Sequence, residues 1–391
     1  MTINNEHKKL NVPNLRFPEF QGEWEKCKLG DYGKVVTGNT PPTKDIENYE
    51  NGTYLWASPA DLGIIKSITE TKTMLSAQGF SKTRTLPKGS VLVTCIGSTI
   101  GKAGMATKEM STNQQINSIV VNDNNDNEFV YYAIQSAFPR YLSSIAVQAV
   151  PIISKSAFEL LPNNRPYLQE QKKIGKFLSL LDERIATQNK IIDKLQSLIK
   201  GIVDCTILRK EKNAIVGDVC SISEQIKAEA NIDDIITVRL HGNGVCKSSA
   251  ENLQLGATQY YRRRAGQLIY GKQNFHNGAI GIVPISLDNG ITSKDIPSFD
   301  IDEMKCNSVY LLAQLQSPQY YKLAEALTTG TGSKRLKEEA FLKMPIVLPN
   351  KREQDNIAVL IHRASMNLDH AKRLLELLSI QKQFLLRQMF I

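Results

Sequence analysis

YLQEQKKIGKFLSLLDERIATQNKIIDKLQSLIKGIVDCTIL, residues 167–208, decides the fold. It contains no proline, and apolar residues recur at Ile174, Leu178, Leu181 and Ile185, then at Ile192, Leu195, Ile199 and Ile202. Gln188 stands where one long step would otherwise divide into a three and a four. A 3.5-residue repeat held over about four heptads predicts a coiled-coil seam. Forty-two residues of helix at about 1.5 Å each reach roughly 60 Å. A second stretch, residues 350–391, repeats the pattern with Ile357, Ile361, Ala364, Leu368, Ala371, Leu375, Leu378 and Leu385, and Lys382 is its polar interruption. Asn350 and Glu353 have capping-box spacing, whereas Tyr167 stands at the first helix's equivalent position and caps it less well.

The helices are the ends of a longer duplication. At an offset of 183, Ala157-Phe158 falls on Ala340-Phe341, Pro162 on Pro345, Pro166 on Pro349, and Glu170-Gln171 on Glu353-Gln354. Upstream the offset drifts. Gly89, Gly101 and Gly104 meet Gly266, Gly278 and Gly281 at 177, and Gly30-Asp31 meets Gly217-Asp218 at 187. Matches that keep their order while the offset drifts mean loops of different length on one scaffold. The period is too long for a solenoid repeat and fits a tandem copy of one domain-plus-helix unit.

Each helix follows a strand-rich stretch. LPKGSVLVTCI, residues 86–96, reads as a turn and then a β-branched strand, and its counterpart is Ala265-Gly266 followed by Gln267 to Tyr270. Short helices are expected near 128–143 and 307–327. The fold class is α+β, built twice, with boundaries at 1–166, 167–212, 213–349 and 350–391. The short connection at 209–214 favours an antiparallel helix pair and a pseudo-twofold molecule.

The 391 residues suffice for two or three domains. Forty-eight Lys+Arg against 39 Asp+Glu give +9, which suggests a polyanionic partner. The helix regions hold most of it: 167–212 has ten basic and six acidic residues, 350–391 seven and four, and the rest 31 and 29. No run of about 18 apolar residues predicts a membrane span, and the polar Met1 to Leu10 does not resemble a secretory signal. Six scattered cysteines (27, 95, 205, 220, 246 and 306) with no CxxC pair fit a reducing cytoplasm and argue against structural zinc.

Motifs for catalysis are weak. Gly97-Ser98-Thr99-Ile100-Gly101-Lys102 is one residue short of a phosphate-binding loop, Ala103 replaces its hydroxyl residue, and the second copy has Gly278-Ala279 instead of Gly101-Lys102. Asp123, Asn125 and Asn127 open like a calcium loop, but Glu128 takes the place of the required glycine. The five histidines show no ligand spacing, and no GxSxG elbow, nuclease cluster or Asn/Asp-Pro-Pro-aromatic tetrapeptide is present; Thr40-Pro41-Pro42-Thr43 is the nearest to the last. No catalytic residue and no metal site is expected.

Basic, aromatic and amide residues do interleave. In the first copy the candidates for nucleic-acid contact are Lys72, Lys82, Arg84, Lys88, Lys102, Asn113 and Gln114. In the second they are Arg262, Arg263, Arg264, Tyr270, Lys272, Lys334 and Arg335. Arginine forks suit guanine or phosphate, and amides suit adenine. A solvated surface is the plainer reading of any single one.

Several passages together carry a resemblance. They are Arg16-Phe17-Pro18-Glu19-Phe20 with Gly22-Glu23-Trp24 and Lys28-Leu29-Gly30-Asp31, then Trp56-Ala57-Ser58 with Asp61-Leu62, and Leu86 to Leu92. Ile100-Gly101 and Asn113-Gln114 follow, then Gly266 to Tyr270, Ser293 to Phe299, Gly330-Thr331-Gly332, and the proline and Glu-Gln before each helix. Over nearly its whole length the chain resembles the specificity subunits of type I restriction-modification systems. The resemblance implies two target recognition domains, each reading one half of a bipartite, asymmetric site in double-stranded DNA. It also implies paired helices that fix the gap between half-sites and dock two modification subunits, which bind S-adenosylmethionine and methylate adenine. Two restriction subunits using ATP and magnesium would translocate and cut. No cofactor is implied for this chain. Two other readings are a coiled-coil adaptor with no DNA role and an NTPase built on Gly97 to Lys102.

Overall fold

The computed structural model describes residues 10–63, 65–145, 151–248, 258–328 and 335–391. The chain divides into two compact units, residues 1–189 with 374–391, and residues 190–373.

Unit 1 contains strands β1 (Glu25–Lys28), β2 (Gly33–Thr37), β3 (Tyr54–Ala57), β4 (Ser67–Ile68), β5 (Thr73–Leu75), β6 (Thr85–Leu86), β7 (Val91–Thr94), β8 (Ala103–Ala106), β9 (Met110–Thr112), β10 (Ile116–Val121) and β11 (Pro162–Arg165). Its helices are α1 (Ala77–Ser81), α2 (Asn127–Ile145), α3 (Lys155–Glu159) and the first part of α4 (Leu168–Val203). A five-stranded sheet runs β2-β10-β7-β8-β4, a four-stranded sheet β5-β3-β9-β6, and β1 pairs with β11. Period-2 alternation explains the layering. Val91 and Val93 of β7 face a core with Phe129, Ala133 and Ala137 of α2 and Ile174 and Leu178 of α4. Leu92 faces the other way, into a core shared with Leu55, Ala57, Leu86 and Met110 of the second sheet. A strand covered on both faces reads as an unbroken apolar run, which is what Val91 to Thr94 is.

Unit 2 contains β12 (Ala214–Ile215), β13 (Cys220–Ile222), β14 (Lys227–Ala228), β15 (Ile236–Val238), β16 (Val245–Lys247), β17 (Tyr260–Arg262), β18 (Leu268–Tyr270), β19 (Ile280–Ile282), β20 (Ile291–Ser293), β21 (Ser298–Ile301) and β22 (Pro345–Ile346). The helices here are α5 (Ser308–Leu315), α6 (Pro318–Tyr321), α7 (Glu338–Leu342) and the first part of α8 (Lys351–Gln388). The sheets run β13-β21-β18-β19 and β14-β17-β20, with pairs β15-β16 and β12-β22. Leu268 and Tyr270 face the helical core, and Ile269 faces the opposite one. The helix expected over 307–327 is broken here. Pro318 starts a new helix at α6, and a 3-10 turn follows at Lys322–Leu327.

The duplication is visible bond by bond. Lys28 pairs with Pro162, and Ile215 with Pro345. Asp31 accepts from the backbone of Lys28 at 2.7 Å, and Asp218 from that of Ile215 at 2.8 Å. Phe158 and Phe341 are both fully buried. Gly101 and Gly278 both take positive φ, 89° and 75°, and a Cβ would strike Phe138 in one case and Tyr321 in the other. Only glycine suits that backbone and that closeness.

The junction with each long helix is duplicated too. Gln171 donates to the carbonyl of Pro166 and accepts from the amide of Asp126, just before α2. Gln354 donates to the carbonyl of Pro349 and accepts from the amide of Asn307, just before α5. Asn350 caps α8 through the amide of Glu353 at 3.0 Å, whereas at α4 the carbonyl of Tyr167 accepts from Glu170.

Of the residues expected in a helix seam, Ile174, Leu178, Ile192, Ile357, Ile361 and Leu378 are buried, and Leu181, Ile185, Leu195, Leu368 and Leu375 are half-buried. Some serve a globular core as well. Ile174 and Leu178 share the core of unit 1 with Leu385, Met389 and Phe390 from the end of α8. In unit 2, Ile357 and Ile361 share a core with Val203 and Ile207 from the end of α4. In each unit the start of one long helix thus meets the end of the other, an antiparallel pairing. α4 ends in a π-helical turn, Asp204–Leu208.

Candidate nucleic-acid interface

In unit 1 the loop after β2 is sewn to the β9–β10 connection. Gly38 donates to the carbonyl of Ile116 and Asn39 to that of Thr112. Asn39 then organises its surroundings. Its Nδ2 donates to the Lys82 carbonyl at 2.9 Å, its Oδ1 accepts from the Arg84 amide at 2.8 Å, and its carbonyl accepts from Trp56 Nε1 at 3.1 Å. Arg84 spends one guanidinium nitrogen on the Thr37 carbonyl at 2.8 Å, and Thr40 Oγ1 donates to Gln114 Oε1. Lys82, Arg84 and Gln114 are exposed. The structure therefore brings together an ammonium, a guanidinium with nitrogens to spare and an amide, around the turn Gly38-Asn39-Thr40. Sequence reasoning missed Asn39 and Thr40; the Gly-Asn-Thr-Pro-Pro turn chemistry was the available signal.

Lys72 and Lys102 form a second group. The Lys72 amide donates to Asp61 Oδ1 at 2.8 Å, and Asp61 also accepts from Ser58. Gly63 lies so close to Lys102 that a Cβ would meet its side chain at 2.9 Å. Lys88 has different company, lining a cleft with Asp123, Asp126 and Lys172. Asn113 is buried, where its side chain holds Gln115 in a tight turn.

Unit 2 is less basic at its face. Arg262 and Arg264 are exposed and line a cleft with Glu224, Asp300 and Glu303. Arg263 is fully buried. Its Nε donates to Thr292 at 2.7 Å, and its terminal nitrogens to Ser298 and the Ile296 carbonyl at 3.0 Å. These acceptors are neutral, and burial pulls its pKa down to about 10. Tyr270 is buried and donates to the Leu336 carbonyl at 3.2 Å. As the chain stands, Asn113, Arg263 and Tyr270 hold the fold together and do not face solvent. Lys272 pairs with Glu338 at 2.7 Å and Arg335 with Asp295 at 3.2 Å. Lys334 lies outside the described residues.

A feature that sequence reasoning missed is the tip of the β15–β16 hairpin. Arg239, Leu240, His241 and Asn243 are exposed there, and His241 takes a left-handed backbone, φ 59°. His241 and Gly242 donate to the carbonyls of Asn277 and Gly278. Gly278 is the equivalent of Gly101, so this tip holds the place in unit 2 that loop 58–63 holds in unit 1. The sequence signal was Val238-Arg239-Leu240-His241-Gly242-Asn243-Gly244, a strand running into a glycine-rich turn.

The phosphate-loop reading fails on geometry. A phosphate-binding loop runs from a strand into a helix, and here Gly97 to Lys102 joins β7 to β8 in an antiparallel hairpin. Among the described residues, no group of three or more His, Cys, Asp or Glu side chains could hold a metal ion, and no helix is long and apolar enough to cross a membrane.

Two α+β units of one plan, each joined to a long helix and each offering basic and amide side chains on loops, define a two-part polynucleotide reader. The model of the type I restriction modification DNA specificity domain matches residues 21–197. The MjaIX specificity subunit of Methanocaldococcus jannaschii is 31% identical over 44% of this chain and 42% of its own length. For the HindI specificity subunit of Haemophilus influenzae the figures are 28%, 45% and 40%. This chain's match thus spans about two fifths of those relatives. The MjaVIII specificity subunit of M. jannaschii matches at 23% identity over 88% of this chain and 86% of that one. A crystal structure of the S subunit of a type I restriction-modification system from M. genitalium superposes with a TM-score of 0.68 at 15% identity, covering 97% of this chain and 99% of that one, a likeness of fold. The chain belongs to the family of type I restriction-modification specificity subunits.

Proposed function

We propose that this chain is the non-catalytic DNA-reading member of a type I restriction-modification complex. Unit 1 reads one half of a bipartite, asymmetric site and unit 2 the other, through the major groove. The long helices set the gap and dock two modification subunits, whose S-adenosylmethionine-dependent chemistry methylates adenine; two ATP-driven restriction subunits translocate and cut. The supporting observation is that one scaffold carries two different loop sets. In unit 1, Lys82, Arg84 and Gln114 gather around Asn39, while in unit 2, Arg262 and Arg264 flank carboxylates and Arg239 sits on a hairpin tip. Two unlike readers on one spacer suit a site without palindromic symmetry. Exposed apolar side chains on the helices, among them Leu180 and Leu198 of α4 and Leu377, Ile380 and Phe384 of α8, support docking of partner subunits.

Methylome mapping in a host carrying this chain and its partner subunits tests the reading. One motif with two unlike halves is expected, and Arg84→Ala with Gln114→Ala changes the first half alone. A palindromic motif would overturn it. Adding one heptad to both α4 and α8, roughly 10.5 Å, lengthens the preferred gap; an unchanged gap removes the spacing role. The adaptor reading would be favoured if removing the charges of Lys82, Arg84, Arg262 and Arg264 left the assembled complex's DNA affinity unaltered.

A further inference from the structure

Lys382 breaks an apolar heptad row between Leu378 and Leu385, and unit 1 supplies the reason. Its Nζ lies 2.7 Å from Asp182 Oδ1, with the two side chains 20% and 16% exposed. The hydroxyl of Tyr132 donates to the other oxygen of Asp182 at 2.6 Å, and Lys382 Nζ stands 5.7 Å from the centre of the Tyr132 ring. Tyr132 is fully buried. Burial first, and then the charge of Asp182, raise its pKa well above the ordinary value, so the hydroxyl stays a donor. Lys66 closes the cluster with 2.7 Å to Glu128 and 2.9 Å to Ser179.

The duplicated positions lack this pair. At the offset of 183, Asp182 corresponds to Ser365 and Lys382 to Ile199, both in unit 2. A duplicated chain faces a pairing problem: two similar units must each receive the end of one of two similar helices. Apolar heptads do not discriminate between such choices. A charged pair in the seam does, because a wrong partner leaves a desolvated charge unpaired, and registry is the best-attested use of buried polar groups in coiled coils. With Ile199 opposite Asp182 the carboxylate loses its cation, and with Ser365 opposite Lys382 the ammonium loses its anion.

We propose that Asp182 and Lys382 form a matched key that admits the end of α8 into unit 1 and rejects both the equivalent end of α4 and the helices of a second copy of this chain. The key sets specificity and adds little to stability.

Two differently tagged full-length chains are co-expressed, and their co-purification is compared with that of the unsubstituted pair. The apolar double variant Asp182→Leu with Lys382→Leu is expected to melt no lower than the parent and to co-purify several-fold more. The reversal Lys382→Asp is expected to raise hydrogen exchange of residues 374–391 at least tenfold, and adding Asp182→Lys to it restores slow exchange and low co-purification. Parent-level co-purification of the apolar variant would overturn the proposal. So would a charge-swapped chain that behaves like the single reversal, and that arm decides the matter if the apolar variant fails to fold. No DNA is needed, so the outcome is independent of the reading function.

Discussion

Arg16 grips Glu170 with both arms of its fork, Nε at 2.8 Å from one carboxylate oxygen and a terminal nitrogen at 2.7 Å from the other. Glu170 is 1% exposed and also accepts from Trp24 Nε1. The pair ties the segment before β1 to the first turn of α4. Arg16→Met strands a buried carboxylate, and removing one partner of such a pair costs about 3–5 kcal/mol. Urea unfolding followed by tryptophan fluorescence checks this; a loss below 1 kcal/mol would mean that Glu170 finds another partner.

Gln171 and Gln354 perform the same duty, so they should fail alike. Each is 1% exposed and bridges the residue before a short helix to the carbonyl before a long one. Gln171→Leu and Gln354→Leu each leave a buried amide and a carbonyl unpaired, at about 1–3 kcal/mol apiece. Hydrogen exchange should rise around α2 for the first and around α5 for the second. A change spread evenly over both units would contradict a local role.

The three consecutive arginines of unit 2 should separate. Arg263→Ala removes the donors that hold Thr292, Ser298 and the Ile296 carbonyl and unfolds that part of unit 2. Arg262→Ala and Arg264→Ala leave thermal stability unchanged and lower the DNA affinity of the assembled complex. Equal destabilisation by all three would refute the assignment. DNA-binding tests on this chain must therefore leave Arg263 in place.

Thiol chemistry reports burial. Desolvation pushes Cys95 to about 12, and Cys220 and Cys306, also chiefly by burial, to about 12. At pH 8 these thiols stay protonated and unreactive. An exposure-sensitive reagent should label Cys205 in the native chain and reach these three only on unfolding. The folded values lie above the unfolded value, so their contribution is fully present below pH 9 and is lost as pH rises from about 9 to about 12. Alkaline unfolding shifted upward by Cys220→Ala would support the sign; a downward shift would reverse it.

The helices and the duplication were legible because both are periodic signals carried by many residues. Ile174 to Leu195 and Ile357 to Leu378 lie on the inner or half-buried side of α4 and α8. The readers were less legible. Tyr260 points inward, and simple alternation would bury Arg262 beside it; instead β17 stops at Arg262 and the chain turns Arg263 in under Gly290. Asn113 looked like a free amide, but an amide that bonds two residues ahead makes a turn, and this one does. Lys88 and Lys102 have the same composition signature and entirely different neighbours. Loop packing across strands distant in sequence decides such cases, and no local pattern encodes it.

The π turn at Asp204–Leu208 is the signature of a one-residue insertion into an older helix. Such an insertion rotates everything after it by about 100°. Upstream, Leu195 and Ile199 follow the heptad; downstream, Ile207 is fully buried in the core of unit 2. α8 keeps the unbroken spacing Leu378, Lys382, Leu385, Met389 at its own end. After the gene doubled, the first copy's helix had to lead into a second domain while the last copy's had only to stop. One extra residue, coiled into a wide turn, records that difference in ancestry.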